Sequence, residues 1–262
     1  MERKLMYGLL AAAIIAVFLI LVYINIFGKS SVSGNTTYIN APVPQPFISM
    51  LNVASNTSNA VGIGSAGNLP SSLNATPLVA NGLPEVLYVG ADYCPYCAVT
   101  RWGLIIALMR FGSFSKLHYM ISNGSDVYPN TPTFTFYNSS YSSRYISFVP
   151  VETQQNNRQQ LQQLTSQQQV VFSTYDINGG IPFIDFANRS VALGALVLPS
   201  IINGYSWNAI AGNLTNPSSA ISQSIVGSAD AYTTEICIIT NFTPTDVCSQ
   251  PYVSSILRNL KH

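Results

Sequence analysis

Two of the four cysteines in this chain of 262 residues stand three positions apart, in the stretch Cys94-Pro95-Tyr96-Cys97. Such a pair can exchange disulfides, bind a soft metal ion or form a permanent bridge. For exchange, a thiolate at a helix start has a lowered pKa because free backbone N–H groups and the helix dipole stabilise its charge. We then expect Cys94 to be the exposed nucleophile and Cys97, one turn on, to be the inward-facing resolving thiol. Tyr96 is a candidate for substrate binding.

The motif lies where a predicted strand gives way to a predicted helix. β-Branched and aromatic residues predict the strand over residues 85–91, and a proline followed by apolar residues at helical spacing predicts the helix over 95–111. A second strand is predicted at 116–122. Strand, helix and strand of these lengths favour a right-handed parallel crossover that places Cys94 at the helix start.

The rest of the chain is predicted to continue the α/β pattern. The further elements are strands at 133–137 and 145–149, a Gln-rich helix at about 153–168, a hairpin of 182–186 with 191–195, and a mainly helical tail from about 207.

The hairpin segment "GGIPFIDFANRSVALGA" resembles the region of thioredoxin-superfamily proteins in which an X-Pro bond is cis and faces the active-site cysteines. The resemblance implies an α/β, thioredoxin-like fold with an inserted segment at about 123–170, between the crossover and the hairpin. It also implies that Pro182 is cis, lies beside the dithiol and excludes metal from it. The backbone of Ile181 would then be free to pair with an extended substrate. An ordinary trans proline at the start of an edge strand is the alternative.

The chain is also similar to an archaeal family of unknown function that combines a membrane anchor, a thioredoxin-like domain and a C-terminal cysteine pair. The segments "GADYCPYCAVTRWGLIIALMRFG", "GGIPFIDFANR" and "TEICIITNFTPTDVC" carry this likeness. The likeness implies a fold and a topology, but no established reaction.

The N-terminus predicts a single membrane span. Residues 5–27 carry no charge and reach ~34 Å as a helix, enough for a ~30 Å hydrocarbon core. Basic residues before the span place residues 1–4 in the cytoplasm and the rest of the chain outside the cell membrane. A Ser-, Asn- and Pro-rich linker is predicted over 28–81, and the globular domain over 82–262. A cleaved signal peptide is the alternative for the span.

Composition excludes some classes of function. Only 8% of residues are charged and the net charge is +1, so nothing favours nucleic acid as a partner. Carboxylates become protonated in an acidic medium, and a surface with few of them would lose few charges there. One hypothesis is therefore that the protein faces an acidic exterior. Eight Asn-X-Ser/Thr sequons agree with an exported glycoprotein. No phosphate loop or catalytic triad stands out, and we expect neither a cofactor nor a resident metal.

The other two cysteines, Cys237 and Cys248, are expected to form a structural disulfide outside the cell. The alternatives are a relay pair that exchanges electrons with the first two cysteines, and a zinc site made by all four. Near Cys94, Arg101 is expected to be a solvated helix residue, with assistance to the thiolate as the alternative. Asp92 is expected to be a loop carboxylate beside the helix start; the alternative is that it influences the pKa of Cys94 or accepts a proton through water.

Three functions remain open from the sequence. The leading one is a membrane-anchored thiol–disulfide oxidoreductase that acts on exported proteins and depends on an unidentified redox-recycling partner. The second is a non-catalytic surface structural or interaction protein whose cysteines form a permanent bridge. The third is a copper-delivery module in which Cys94 and Cys97 bind a monovalent ion.

Overall fold

The fold is known from a computed structural model, which describes residues 38–258. The predicted membrane span at 5–27 lies outside these residues, as does the segment 28–37. Within residues 38–258, no helix combines the length and the apolar character that crossing a bilayer requires.

The described chain forms eight strands and eight α-helices. The strands are β1 (Ser71–Ser72), β2 (Val79–Ala80), β3 (Leu83–Gly90), β4 (Gly112–Ile121), β5 (Pro132–Ser143), β6 (Ser147–Glu152), β7 (Phe183–Phe186) and β8 (Ser190–Leu193). The helices are α1 (Gln45–Val53), α2 (Ser58–Val61), α3 (Pro95–Met109), α4 (Ser166–Tyr175), α5 (Trp207–Leu214), α6 (Ala220–Ile239), α7 (Thr245–Cys248) and α8 (Pro251–Leu257). This mixed architecture confirms the predicted α/β class.

Strand β3 lies in the middle of a six-stranded sheet. It pairs in parallel with β6 and antiparallel with β7, and β7 pairs antiparallel with β8. The short strands β1 and β2 extend β8 and the start of β3, respectively. Strands flank β3 on both edges and helices cover both faces of the sheet, and every residue from Glu85 to Gly90 is buried. The predicted buried strand and the predicted hairpin are therefore both confirmed, within two residues at each end.

The parallel partner of β3 is not the predicted one. The sequence favours residues 116–122, but that segment belongs to β4, which pairs antiparallel with β5 in a separate two-stranded sheet. Three of the first five residues of β4 are exposed, which suits a sheet with one face in water better than a buried parallel strand. The β4–β5 hairpin is thus inserted within the crossover from β3 to β6, rather than after it.

Helices cover both faces of the main sheet. On one face α3 packs against α6, closely enough that a Cβ on Gly103 would lie 3.0 Å from that of Ser228. On the other face α4 brings Phe172 to within 5.0 Å of Phe183, measured between ring centroids. The sequence predicts this helix at 153–168, but it begins only at Ser166, because the side chain of Thr165 caps it and 153–165 is irregular.

The predicted linker over 28–81 differs from the structure in its described part. Helix α1 buries Phe47, Ile48 and Leu51 in the main hydrophobic core. These apolar side chains lie on one face of α1, so burying them favours an ordered helix over a tether. Residues 38–61 are therefore part of the folded domain, whose boundary was predicted at 82.

The C-terminal part is helical, as predicted, and holds the second cysteine pair. Cys237 and Cys248 form a disulfide whose Cα atoms are 5.6 Å apart, and both residues are buried. This bridge ties α6 to α7. It also contradicts a zinc site made by all four cysteines.

Candidate functional site

Cys94 is the N-cap residue of α3. Its backbone is extended (φ −78°, ψ 121°), and its Sγ accepts a hydrogen bond from the backbone N–H of Cys97 at 3.2 Å. Pro95 occupies the first turn, where its missing N–H costs nothing. The end of β3 and the proline together fix the helix start, so the predicted position of the motif is confirmed.

The two thiols have opposite electrostatic environments. The pKa of Cys94 is lowered, mainly by hydrogen bonding from Cys97 and also by the positive charge of Arg101, although burial opposes the shift. The pKa of Cys97 is raised well above its usual value, chiefly because the thiol is fully buried. Of the two thiols, Cys94 is therefore the one that ionises more readily, while Cys97 keeps its proton to higher pH.

A backbone turn from the hairpin faces Cys94. The Ile181–Pro182 bond is cis, as predicted, and Sγ of Cys94 lies 3.9 Å from the carbonyl oxygen of Ile181. Within the described residues, the N–H of Ile181 donates no hydrogen bond to protein. The N–H of Ile181 is thus an unused donor on the residue whose carbonyl oxygen lies beside the sulfur.

Cys94 is more covered than expected. The sequence predicts an exposed nucleophile, but the residue is only 5% exposed. The neighbouring carbonyl of Ile181 covers part of its surface. Tyr96 is half-buried, since its ring packs edge-on against Tyr128 at a centroid distance of 6.0 Å. Moving these groups is a requirement for any large reactant to reach the sulfur.

Arg101 lies beneath the dithiol as a fully buried cation. Its guanidinium donates two hydrogen bonds to the carboxylate of Glu152, at 2.9 and 2.6 Å, and a third to the carbonyl of Ala91 at 2.8 Å. The sequence predicts a solvated arginine, which is wrong. The parallel pairing of β6 with β3 brings Glu152 to the same end of the sheet as Gly90, directly under α3.

Asp92 and Tyr88 complete this buried polar cluster. Asp92 is 2% exposed rather than a surface carboxylate, and one of its oxygens lies 3.7 Å from the guanidinium of Arg101. Burial, reinforced by the charge of Glu152, raises the pKa of Asp92 to about 7. Tyr88 is fully buried in the same region, and the guanidinium carbon of Arg101 lies 5.8 Å from the centroid of its ring. The cluster therefore holds one fixed cation and one carboxyl that titrates near neutrality.

The two cysteine pairs lie at opposite ends of the sheet. Cys94 follows the end of β3, whereas Ile238, next to Cys237, lines a surface cavity with Pro84 at the start of β3. Eight strand residues span ~26 Å, at ~3.3 Å each, so about 20 Å or more separates the pairs. Disulfide exchange needs direct contact between sulfur atoms, so the two pairs do not exchange with each other in the described arrangement.

Sequence reasoning missed Glu152 as a member of the site. Its sequence signal was weak: Glu152 is the sole acidic residue between Asp126 and Asp176, and it directly follows the apolar run from Phe148 to Val151. His118 is half-buried on β4, where it pairs with Thr135 on one side and Pro42 on the other, and it lies outside the cluster. Over the described residues, no group of three or more His, Cys, Asp and Glu side chains is arranged to hold a metal ion.

Comparison with known proteins yields one match. The sequence profile of a family described as "Domain of unknown function (DUF929)" matches residues 70–175, about two fifths of the chain. The match includes both cysteines of the motif and excludes Pro182. No curated protein and no solved structure matches the chain.

Proposed function

We propose that this protein is a membrane-anchored, extracytoplasmic thiol–disulfide oxidoreductase with a thioredoxin-like domain. The order of elements supports the thioredoxin-like assignment: strand β3, the cysteine motif at the start of α3, the parallel strand β6, then Ile181-Pro182 and an antiparallel hairpin. The proposed anchor is the predicted span at 5–27, and the proposed substrates are exported proteins.

One observation carries the proposal. Sγ of Cys94 combines a hydrogen bond from the N–H of Cys97 with a position 3.9 Å from the backbone of Ile181, which keeps an unused N–H. A permanent bridge needs neither a stabilised thiolate nor a free backbone donor beside it. An exchanging thiolate needs both, because it attacks along the S–S axis while the substrate backbone is held alongside.

The proposed reduction proceeds in two exchange steps. The Cys94 thiolate attacks one sulfur of a substrate disulfide, forms a mixed disulfide and releases the other substrate sulfur as a thiolate. Cys97 then loses its proton and attacks Sγ of Cys94, which forms the Cys94–Cys97 disulfide and releases the second substrate thiolate. Two electrons pass from the protein to the substrate; Cys97 gives up one proton, and solvent supplies the second proton that a dithiol product needs. Substrate oxidation is the same sequence in reverse.

The buried cluster fits the demands of the second step. Cys97 must ionise inside the protein, and the positive charge of Arg101 lowers the energy of a thiolate there. Because Asp92 titrates near neutrality, we include it in the proposal as a proton carrier between this region and the cavity that it lines. Pro182 and Ile181 form the wall that aligns the substrate, and Tyr96 is proposed to contact it.

The 5% exposure of Cys94 favours a second candidate, a non-catalytic protein whose cysteines are permanently covered. Alkylation of the reduced native protein with iodoacetamide at several pH values separates the two. The oxidoreductase proposal predicts reaction of Cys94 alone, with a midpoint below that of an ordinary cysteine. The second candidate predicts no reaction until the protein unfolds.

A mixed-disulfide trap tests the function directly. Cys97→Ser in the full chain removes the resolving thiol, so substrates should accumulate as adducts on Cys94 in native membranes. Cys94→Ser, which keeps Cys97, is the matched control and should give none. An equal absence of adducts from both variants would refute the proposal.

A further inference from the structure

The first described residues enter the fold as an extra strand beside β4. The N–H of Asn40 donates to the carbonyl of Tyr119, the N–H of Tyr119 to the carbonyl of Ala41, and the N–H of Val43 to the carbonyl of Leu117, all at 2.9 Å. Three successive ladder bonds fix this segment firmly. Whatever precedes it in the chain is therefore attached to the domain at a defined point.

This attachment point lies at the dithiol end of the domain. Asn40 and Asp92 line the same cavity, which has a volume of about 380 Å³, and Asp92 is two residues from Cys94. The C-terminal end of β4 lies at this end of the domain too. Asn123, which follows the strand, donates its N–H to the carbonyl of Tyr93 at 2.9 Å. We call this end, from Tyr93 to Cys97 with the cavity beside it, the dithiol pole.

The chain between the predicted membrane span and the dithiol pole is short. Eleven peptide steps join Phe27, the last residue of the span, to Tyr38. Fully extended they reach at most ~39 Å, at ~3.5 Å per step.

The domain is wider than this linker is long. A compact body of the 221 residues from 38 to 258 has a radius of gyration of ~17 Å, which corresponds to a sphere ~44 Å across. If the dithiol pole pointed away from the bilayer, the linker would have to run around the whole domain. Even its extended length is too short for that path.

We propose that the dithiol pole lies nearer the membrane surface than the opposite end of the domain does, and that its substrates are thiols and disulfides of membrane-held polypeptides within ~40 Å of the bilayer. The orientation rests on the predicted span at 5–27, and the substrate class rests in addition on the proposed function. The chemical step is the exchange balanced above, with the membrane-held polypeptide as the disulfide or dithiol partner.

Energy transfer to the lipid surface tests the orientation without any redox chemistry. The domain offers two exposed valines as matched labelling sites: Val127, beside Tyr128 at the dithiol pole, and Val79, opposite Pro84 at the far end of β3. Each is changed to cysteine in a Cys94→Ser/Cys97→Ser background, labelled with a donor dye, and the full chain is placed in phosphatidylcholine vesicles that carry headgroup-labelled acceptor lipid.

We expect transfer from Val127→Cys to be at least twofold more efficient than from Val79→Cys. A flexible insert of 20 Gly and Ser residues after Ser30 should bring the two efficiencies together, because the domain could then turn over. Equal efficiencies without the insert, the reverse order, or loss of the domain from the vesicles would each overturn the proposed orientation.

The trap with Cys97→Ser tests the substrate class separately. Adducts confined to membrane-held polypeptides, and reduced severalfold by the 20-residue insert, are the expected result. Adducts mainly with freely diffusing exported proteins would overturn the substrate class while leaving the oxidoreductase function intact. An absence of adducts together with the expected energy transfer would refute the proposed function but not the orientation.

Discussion

Glu235 carries a prediction about how the stability of the fold depends on pH. It lies on α6 and is only 1% exposed; one carboxylate oxygen accepts a hydrogen bond from the hydroxyl of Ser190 at 2.6 Å. The other oxygen has no hydrogen-bond partner among the described residues. Burial raises the pKa of Glu235 from 4.5 to about 7, so the folded protein holds this proton long after the unfolded chain has released it.

The shift converts into a free energy of unfolding. Below pH 4.5 the carboxyl is protonated in both states, and the full contribution to stability is present. Between pH 4.5 and about 7 only the unfolded chain ionises, so the free energy of unfolding falls as pH rises, by ~1.4 kcal/mol per pH unit. The total loss at this one residue is on the order of 3 kcal/mol. Glu235→Gln keeps a hydrogen-bonding partner for Ser190 and removes the titration.

Urea unfolding of the full chain in detergent, followed by the fluorescence of Trp102 and Trp207, measures this loss. We expect the stability of Glu235→Gln minus that of the wild type to grow by ~3 kcal/mol between pH 4 and pH 8. The exposed carboxyl of Asp246 provides a matched control, because Asp246→Asn removes a charge without burial. A stability difference for Glu235→Gln that stays constant with pH, or shrinks as pH rises, would refute the reasoning.

Three further predictions use other parts of the structure. Arg101→Met should destabilise the protein by ~3–5 kcal/mol in urea unfolding, because it leaves Glu152 buried and unpaired. The same variant should slow alkylation of the motif at pH 7. A second substitution that removes the carboxylate of Glu152 should restore part of the stability. Gly227→Ala should cost ~1–3 kcal/mol, since the added methyl group would collide with a backbone carbonyl packed against α6; unchanged thermal unfolding would contradict this. Peptide mass mapping of the native protein should find glycans on exposed Asn138 and none on Asn213, whose side-chain amide is hydrogen-bonded through both its nitrogen and its oxygen.

The local elements around the motif were predictable from sequence because each has a strong signal of its own. A continuous apolar run specifies β3, Pro95 and helical spacing specify α3, and alternation around a polar turn specifies the β7–β8 hairpin. The disulfide between Cys237 and Cys248 was also predictable, because the N-terminus predicts an exported setting in which such bridges form. In these cases nearby residues alone decide the structure.

The predictions that were wrong concern features that depend on residues far apart in the chain. Whether β4 or β6 pairs with β3 is decided by tertiary packing, because both segments have the composition of a strand. The burial of Arg101 could not be foreseen without knowing that Glu152, 51 positions later, arrives beside it. Residues 38–61 are likewise ordered because their few apolar side chains pack into a core formed by residues far away in the chain.

The central position of β3 also bears on how the protein can be divided for production. The span 70–175, to which the family profile applies, contains β3 and α3 but lacks β7 and α6. Expressed alone, that fragment would carry β3 with one bare edge and α3 with one bare apolar face, a combination that promotes aggregation. The smallest fragment that keeps the strand pairs and the helical cover described above extends from Asn40 to Leu257.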